Sequence, residues 1–129
     1  MSSYVLDASA VLAYIHSEPG ADVVWAVVDG PDESLLSTVN LAEVVSRLAD
    51  LNFSTDLIDS SIAKLDLVII DFDEAQARAS GLLRHETRAF GLSLADRACL
   101  ALAQHIGETA LTADRAWSRV PGVQVEVFR

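Results

Sequence analysis

Short apolar runs alternate along the chain with longer segments in which apolar residues recur every three or four positions. The runs predict five β-strands, at residues 4–7, 34–37, 67–70, 109–112 and 123–127. Residues 67–70 are four consecutive apolar residues, three of them β-branched, so we expect this strand to be buried. Strands that alternate with helices and read as continuous apolar runs are typical of a parallel sheet with helices on both faces. The pattern therefore predicts an α/β fold.

Glycine and proline mark the ends of the segments with helical spacing. Gly91 and Gly107 each follow such a segment, as the residue type that commonly ends an α-helix. Pairs of proline and glycine at residues 19–20 and 30–31 interrupt the chain near its start. No long linker or repeat separates the segments, which indicates one domain spanning residues 1–129. The predicted helices cover residues 8–17, 21–28, 40–51, 55–65, 73–90 and 93–106, with a short one at 114–118.

Composition favours a core that needs no disulfide. Apolar residues make up 51% of the chain, and its one cysteine, Cys99, lies in an apolar segment where we expect it to be a buried small side chain. The N-terminus lacks the basic and apolar regions of a signal peptide, and no apolar run approaches the ~20 residues of a membrane span. These features together predict a cytoplasmic protein without a membrane segment.

The chain is strongly acidic, with 19 acids, 9 bases and a net charge of −10. Taken alone, this charge argues against nucleic-acid binding, because phosphate contacts need lysine and arginine. Two explanations stay open: a solvated acidic surface, or acids that are partly neutralised by bound metal. An acidic surface could also take a basic protein segment as its partner.

Four acids lie at the junctions between predicted strands and helices. Asp7 and Asp114 follow strands, whereas Glu43 and Asp96 fall in the first turns of helices. Ligands of parallel sheets bind beyond the carboxyl ends of the strands, so we expect the four side chains to converge there. Converged carboxylates raise one another's pKa unless a cation is present. Oxygen donors without a histidine or cysteine pair suit Mg²⁺ or Mn²⁺.

Each acid also has a local explanation. Asp7 and Asp114 are placed to cap the helices that follow them. The segments 40–43 and 93–96 resemble capping boxes, with Asn40 and Ser93 as the first members. For each acid alone, capping or solvation is the simpler explanation. The joint placement of all four favours a metal site.

The four acids lie in four short segments: Val5-Leu6-Asp7-Ala8-Ser9-Ala10, Asn40-Leu41-Ala42-Glu43-Val44, Leu94-Ala95-Asp96-Arg97 and Leu111-Thr112-Ala113-Asp114-Arg115-Ala116-Trp117. These segments closely resemble the PIN-domain family, and in particular the VapC ribonuclease toxins of bacterial toxin–antitoxin pairs. The resemblance covers essentially the whole chain, in order. It implies a PIN-like three-layer α/β/α sandwich with a central, mainly parallel sheet. It also implies RNA cleavage with Mg²⁺ or Mn²⁺, inhibition by a cognate antitoxin, and a homodimer.

Carried over by position, the resemblance assigns Asp7, Glu43, Asp96 and Asp114 as the catalytic and metal-binding acids. Ser9 and Thr112 match positions where the family often has a hydroxyl beside the site, and Asn40 matches a polar residue one turn before Glu43. Some relatives carry a further acid shortly after the fourth one. This chain has Trp117 and Ser118 there, so the number of metal ions stays open.

The mechanistic hypothesis is that Asp7 and Asp96 bind a first metal directly, while Glu43 and Asp114 complete its shell, partly through water. A metal-activated water then cleaves a structured cellular RNA such as tRNA or rRNA and leaves 5′-phosphate ends. The antitoxin is expected to place a basic side chain among the acids. Four arginines, Arg47, Arg97, Arg115 and Arg119, are candidates for holding the RNA backbone, although solvated charges or internal pairs explain each of them equally well.

Other functions fit less well. A haloacid dehalogenase-type phosphohydrolase needs a second aspartate where this chain has Ser9, and no glycine-rich phosphate loop is present. The alternative that stays open is a catalytically silent PIN-like module that binds RNA or protein. Of the two tryptophans, we expect Trp117 to pack under the last strand rather than to stack on a base, and Trp25 to lie in the core or in a dimer interface.

Overall fold

The computed structural model describes residues 2–129 and has alternating strands and helices over its whole length. In chain order the elements are β1 (Ser3–Leu6), α1 (Ala8–His16), α2 (Ala21–Val28), β2 (Glu33–Ser37), α3 (Thr38–Asp50), α4 (Thr55–Ala63), β3 (Val68–Ile70), α5 (Glu74–Leu82), α6 (Arg84–Thr87), a 3-10 helix (Arg88–Phe90), α7 (Leu94–Ile106), β4 (Thr109–Thr112), a second 3-10 helix (Arg115–Arg119) and β5 (Gln124–Val127).

All five strands belong to one parallel sheet with the order β3-β2-β1-β4-β5. The chain leaves the central strand β1 toward β2 and later returns to its other side as β4. The order of the strands therefore reverses between β1 and β4, and a crevice opens at their carboxyl ends, where ligands of such sheets bind. Asp7 and Thr112 lie at that crevice.

The sheet is covered on both faces, because successive residues of a strand point to opposite sides. Leu6 and Leu111 pack into a core built with α1, α2, α3 and α4. Their neighbours Val5 and Ala110 pack into a second core built with α7 and the Trp117 region. The predicted α/β/α sandwich with a parallel sheet is confirmed.

One predicted helix is wrong: residues 73–90 form α5, α6 and a 3-10 turn instead of one long helix. In an unbroken helix the Ser80 carbonyl would accept from the Arg84 amide. Here the Arg97 guanidinium donates to that carbonyl at 2.9 Å, and the α-helix stops at Leu82. This contact from a distant helix therefore lies at the end of α5, and local spacing does not encode it.

The burial predicted for the third strand is also wrong. Val68 and Ile69 are about 40% exposed, because β3 is the outermost strand and pairs only with β2. Trp25 is likewise about 40% exposed and is not a core residue; its ring packs edge-on against Tyr14. Trp117 is fully buried in the core beside β5, as expected.

Within residues 2–129, no helix has both the length and the apolar character needed to cross a membrane.

Candidate functional site

Asp7 joins β1 to α1 and is the most deeply buried of the four acids. Its Oδ1 accepts from the Ala8 amide at 2.8 Å, so Asp7 caps α1 as the sequence predicts. Its Oδ2 accepts from the hydroxyls of Ser9 and Thr112, each at 2.8 Å. Only 6% of the residue is exposed. The chain thus fixes one carboxylate at the bottom of the crevice by hydrogen bonds from three residues.

The surroundings of Asp7 destabilise the ionised form of its carboxyl group. The pKa of Asp7 is raised from 3.8 to about 6, mainly by burial and to a smaller extent by the nearby carboxylates of Asp96 and Glu43. The hydrogen bonds from Thr112 and Ser9 lower this pKa, because they stabilise the ionised form. The balance leaves a carboxylate for which a neighbouring cation would be strongly favourable.

Thr112 links the first acid to the fourth. Its hydroxyl donates to Asp7 and accepts from the Asp114 amide at 3.1 Å. Ser9 reinforces the same junction, since its hydroxyl accepts from the Ala113 amide at 3.1 Å. Asp114 itself is exposed and caps the second 3-10 helix through the Ala116 amide, as predicted.

Asn40 and Glu43 are arranged differently from the prediction. The helix α3 begins at Thr38 and is capped by Ser37, so Asn40 does not form a capping box with Glu43. Asn40 is instead fully buried, and its side-chain amide donates to the Ala95 carbonyl at 3.1 Å. This bond ties the first turn of α3 to that of α7. It therefore holds the helix that carries Glu43 against the helix that carries Asp96.

Asp96 forms the capping box predicted with Ser93 at the start of α7. The Ser93 hydroxyl accepts from the Asp96 amide, and Asp96 Oδ2 accepts from the Ser93 amide at 2.9 Å. Local capping is thus confirmed for Asp7, Asp96 and Asp114. Capping does not account for the repulsion that Asp96 and Glu43 exert on the Asp7 carboxylate.

The described residues contain no group of three or more histidine, cysteine or acidic side chains already placed to hold a metal ion. The donor chemistry nevertheless fits a hard divalent cation, because every candidate donor is an oxygen. Glu43 gives the clearest observation: its Oε1 is buried and has no hydrogen-bond partner within residues 2–129. Its Oε2 lies 3.8 Å from the Arg47 guanidinium. A cation beside Asp7 would satisfy the unpaired oxygen.

The four arginines proposed to bind RNA separate into two groups. Arg97 is buried and donates to the Ser80 carbonyl, so it faces the protein interior and not an incoming phosphate. This part of the prediction is corrected. Arg47, Arg115 and Arg119 are exposed; of these, Arg47 lies near Glu43 and Arg115 follows Asp114 in the chain.

Cys99 is buried as expected, and burial raises the pKa of its thiol far above the usual range.

Sequence reasoning missed Arg129, which lies beside the same edge of the sheet. Its guanidinium donates to the Pro19 carbonyl at 3.2 Å and lies 3.6 Å from a Glu18 carboxylate oxygen. A local pattern gives no sign of these contacts, because 110 residues separate Pro19 from Arg129.

Comparisons with known proteins bear on the family and the fold of this chain. The PIN domain family model matches residues 4–123. No curated protein sequence matches the chain.

Several solved structures share the fold over nearly the full length of both chains. One is a toxin–antitoxin complex from Klebsiella pneumoniae, with a TM-score of 0.77, 21% identity and 98% of each chain covered. Another is VapBC2 from Rickettsia felis bound to a DNA fragment from their promoter, with a TM-score of 0.72, 22% identity and 98% of each chain covered. A third is DNA-bound VapBC from Salmonella typhimurium, with a TM-score of 0.72, 20% identity and complete coverage of both chains. The family match, which covers most of the chain, shows that this protein belongs to the PIN-domain family.

Proposed function

We propose that this protein is a Mg²⁺- or Mn²⁺-dependent endoribonuclease and the toxin of a toxin–antitoxin pair. The observation that carries the proposal is the buried, unpaired Glu43 Oε1 in an acidic cluster with Asp7 and Asp96. Membership of the PIN-domain family and the fold shared with VapBC complexes support the same function.

Asp7 and Asp96 would hold the cation directly, and Glu43 and Asp114 would complete the set of oxygen donors. A divalent cation bound there supplies positive charge to the carboxylates and the phosphodiester, and it makes a water molecule more acidic. Ser9 and Thr112 hold Asp7 Oδ2 by hydrogen bonds that stabilise its ionised form, so Asp7 is kept ready for the cation.

The proposal includes the product. Water, and not the 2′-hydroxyl of the RNA, attacks the phosphorus and the 3′-oxygen leaves, so cleavage gives a 5′-phosphate and a 3′-hydroxyl. Structured cellular RNA, tRNA or rRNA, is the proposed substrate class. RNA ends that carry 2′,3′-cyclic phosphate would contradict this part of the proposal.

The proposed partners are a second copy of the chain and an antitoxin. Because the cluster is acidic, we expect the antitoxin to inhibit by placing a basic side chain among these carboxylates. Titration with an antitoxin shortened at its basic end tests this idea. Weaker inhibition is expected, and unchanged inhibition would contradict it.

The experiment that tests the activity is incubation of the purified, antitoxin-free protein with total RNA in Mn²⁺, Mg²⁺ or EDTA. Asp96→Asn removes one proposed ligand, and Asp22→Asn removes an equal charge from the exposed first turn of α2 as the matched control. Discrete cleavage that needs metal, persists in Asp22→Asn and disappears in Asp96→Asn is expected. Metal-independent cleavage, or equal cleavage by both variants, would contradict the proposal. RNA binding without any cleavage would favour the silent binding module.

A further inference from the structure

An open cleft of about 360 Å³ lies between α1 and α3, directly beside the acidic cluster. Ser9, which donates to Asp7, lines one part of it, and Arg47 and Arg129 line others. Its volume falls within the ~300–1,000 Å³ typical of ligand sites. The cleft therefore offers two guanidinium groups to whatever approaches the acids from this side.

Arg129 also borders a second cleft, of about 410 Å³, together with Arg115 and Ser118. Arg115 follows Asp114, whereas Arg47 lies one turn after Glu43. Arg129 thus borders both clefts, with Arg47 on one side of it and Arg115 on the other. Three of the nine basic residues of this acidic chain line these two clefts.

The turn at residues 18–20 holds Arg129 in place. The Pro19 carbonyl accepts from its guanidinium, and the Glu18 carboxylate lies 3.6 Å away. Gly20 has φ +85°, and a Cβ there would lie only 2.9 Å from the Arg129 Cβ. The guanidinium also lies 5.3 Å from the centre of the Phe128 ring, which is itself buried. Several neighbours therefore fix the position of Arg129 before a ligand binds. This lowers the side-chain conformational entropy that Arg129 loses on binding.

We infer that the cleft flanked by Arg129 and Arg47 binds a phosphodiester in a single-stranded loop of the structured RNA substrate, next to the one that is cut, with Arg129 as the main contact. The inference rests on the proposed function. Arginine suits this role because its planar donors match phosphate oxygens. Glu18 neutralises part of the Arg129 charge and Asp50 also lines the cleft, so the contribution should be modest and sensitive to salt.

The test measures binding of a fluorescein-labelled single-stranded RNA dodecamer of mixed sequence by fluorescence anisotropy, across a range of KCl concentrations in EDTA. Every protein carries Asp96→Asn, so the RNA stays intact. Arg129→Gln is compared with Arg78→Gln, which removes the same charge from an exposed arginine paired with Glu74 on α5. Both variants are first compared for thermal unfolding.

The expected result is about three- to tenfold weaker binding at low salt for Arg129→Gln than for Arg78→Gln. The slope of log affinity against log salt should fall by about 0.7, the loss of one phosphate contact on a single strand. Arg129→Lys should retain most of the slope. Gly20→Ala, which displaces Arg129 and Phe128, should weaken binding as Arg129→Gln does.

Equal affinity and slope for Arg129→Gln and Arg78→Gln would overturn the inference and leave Arg129 as an anchor for the end of β5. No measurable binding by the Asp96→Asn protein at low salt would overturn it too. Failure of the proposed function is seen separately, as absence of metal-dependent cleavage by the unsubstituted protein. An effect specific to Arg129 in these binding curves supports the phosphate site whatever that cleavage assay shows.

Discussion

The side-chain amide of Asn40 donates to the Ala95 carbonyl at 3.1 Å and joins two helices whose contact residues lie 55 positions apart in the chain. Both partners lie in first helical turns, Asn40 one turn before Glu43 and Ala95 immediately before Asp96. A hydrogen bond between groups that are not themselves ligands therefore joins the helices that carry two proposed metal ligands.

Replacing Asn40 with alanine should destabilise the protein and weaken metal binding together. Loss of this part-buried hydrogen bond costs about 0.5–1.5 kcal/mol of unfolding free energy, because the Ala95 carbonyl lies within α7 and keeps its place in the helix. Urea unfolding measures this loss, and a Mn²⁺ titration measures the second effect. Ser60→Ala is the control, because Ser60 is exposed and its hydroxyl bonds only within its own helix. An Asn40→Ala protein as stable as Ser60→Ala would contradict the anchoring role.

Asp7→Asn should make the metal-free protein more stable at neutral pH while abolishing cleavage. The folded-state pKa of Asp7 is raised to about 6 from 3.8, mainly by burial. A carboxyl group whose pKa is higher in the folded state stabilises the fold when it is protonated. This contribution to the free energy of unfolding is fully present below about pH 4 and is lost as the pH rises through about 6. The loss amounts to about 3 kcal/mol, and asparagine avoids it because it carries no titrating proton.

Urea unfolding of the unsubstituted and Asp7→Asn proteins in EDTA, at about pH 4 and about pH 8, tests the direction of this stability difference. The two proteins should be similar in stability at the lower pH, and Asp7→Asn should be the more stable one at the higher pH. Other carboxylates titrate in both proteins and cancel in the difference. If Asp7→Asn were less stable than the unsubstituted protein at about pH 8, the claim that the buried Asp7 charge destabilises the metal-free fold would be contradicted.

Thr112→Val should lower both cleavage and stability, because one hydroxyl serves Asp7 and Asp114. Loss of a hydrogen bond to a charged group costs about 1.5–3 kcal/mol. The pKa of Asp7 should rise further, since the Thr112 bond lowers it. Thr109→Val is the matched control on the same strand, where the hydroxyl donates to Gln124 in an exposed position. Equal cleavage rates for the two variants would contradict a special role for Thr112.

Arg97→Ala should destabilise the fold and leave RNA binding unchanged apart from the loss of one charge. The side chain is buried and donates to the Ser80 carbonyl, so its removal loses both packing and a charged hydrogen bond, about 2–4 kcal/mol. Arg78→Ala, at an exposed ion pair, should cost about 0.5 kcal/mol or less. Chemical denaturation compares the two. If Arg97→Ala were as stable as Arg78→Ala and reduced the salt slope of RNA binding, the earlier assignment of Arg97 to the RNA backbone would be restored.

The sequence is sufficient to predict the parallel sheet and the junctions at which Asp7 and Asp114 lie, because both depend on local order. Asp7 and Asp114 follow apolar strands, and parallel strands end at the same edge of a sheet. The capping box at Ser93 was likewise readable from four consecutive residues. These features follow from spacing along the chain and do not need knowledge of which helices touch.

The sequence predictions are wrong where tertiary contacts determine which of several local structures forms. Ser37 and Asn40 are both good residues for starting a helix, and only packing makes Ser37 the cap and turns Asn40 inward. From the sequence alone, Arg97 is expected to be a surface charge. In the structure, α5 places the Ser80 carbonyl beside its guanidinium. Arg129 becomes part of the edge only because the turn at Gly20 lies against the end of the chain.

The most direct test of the metal centre is a calorimetric titration of Mn²⁺ into three proteins: unsubstituted, Glu43→Gln and Glu74→Gln. Glu43 and Glu74 each face an arginine four residues later on the same helix, Arg47 and Arg78 respectively. Only Glu43 has a buried carboxylate oxygen without a hydrogen-bond partner. We predict saturable binding to the unsubstituted protein and to Glu74→Gln with equal affinity, and at least about tenfold weaker binding to Glu43→Gln. No saturable binding to the folded, unsubstituted protein, or equal affinity in Glu43→Gln, would contradict the account.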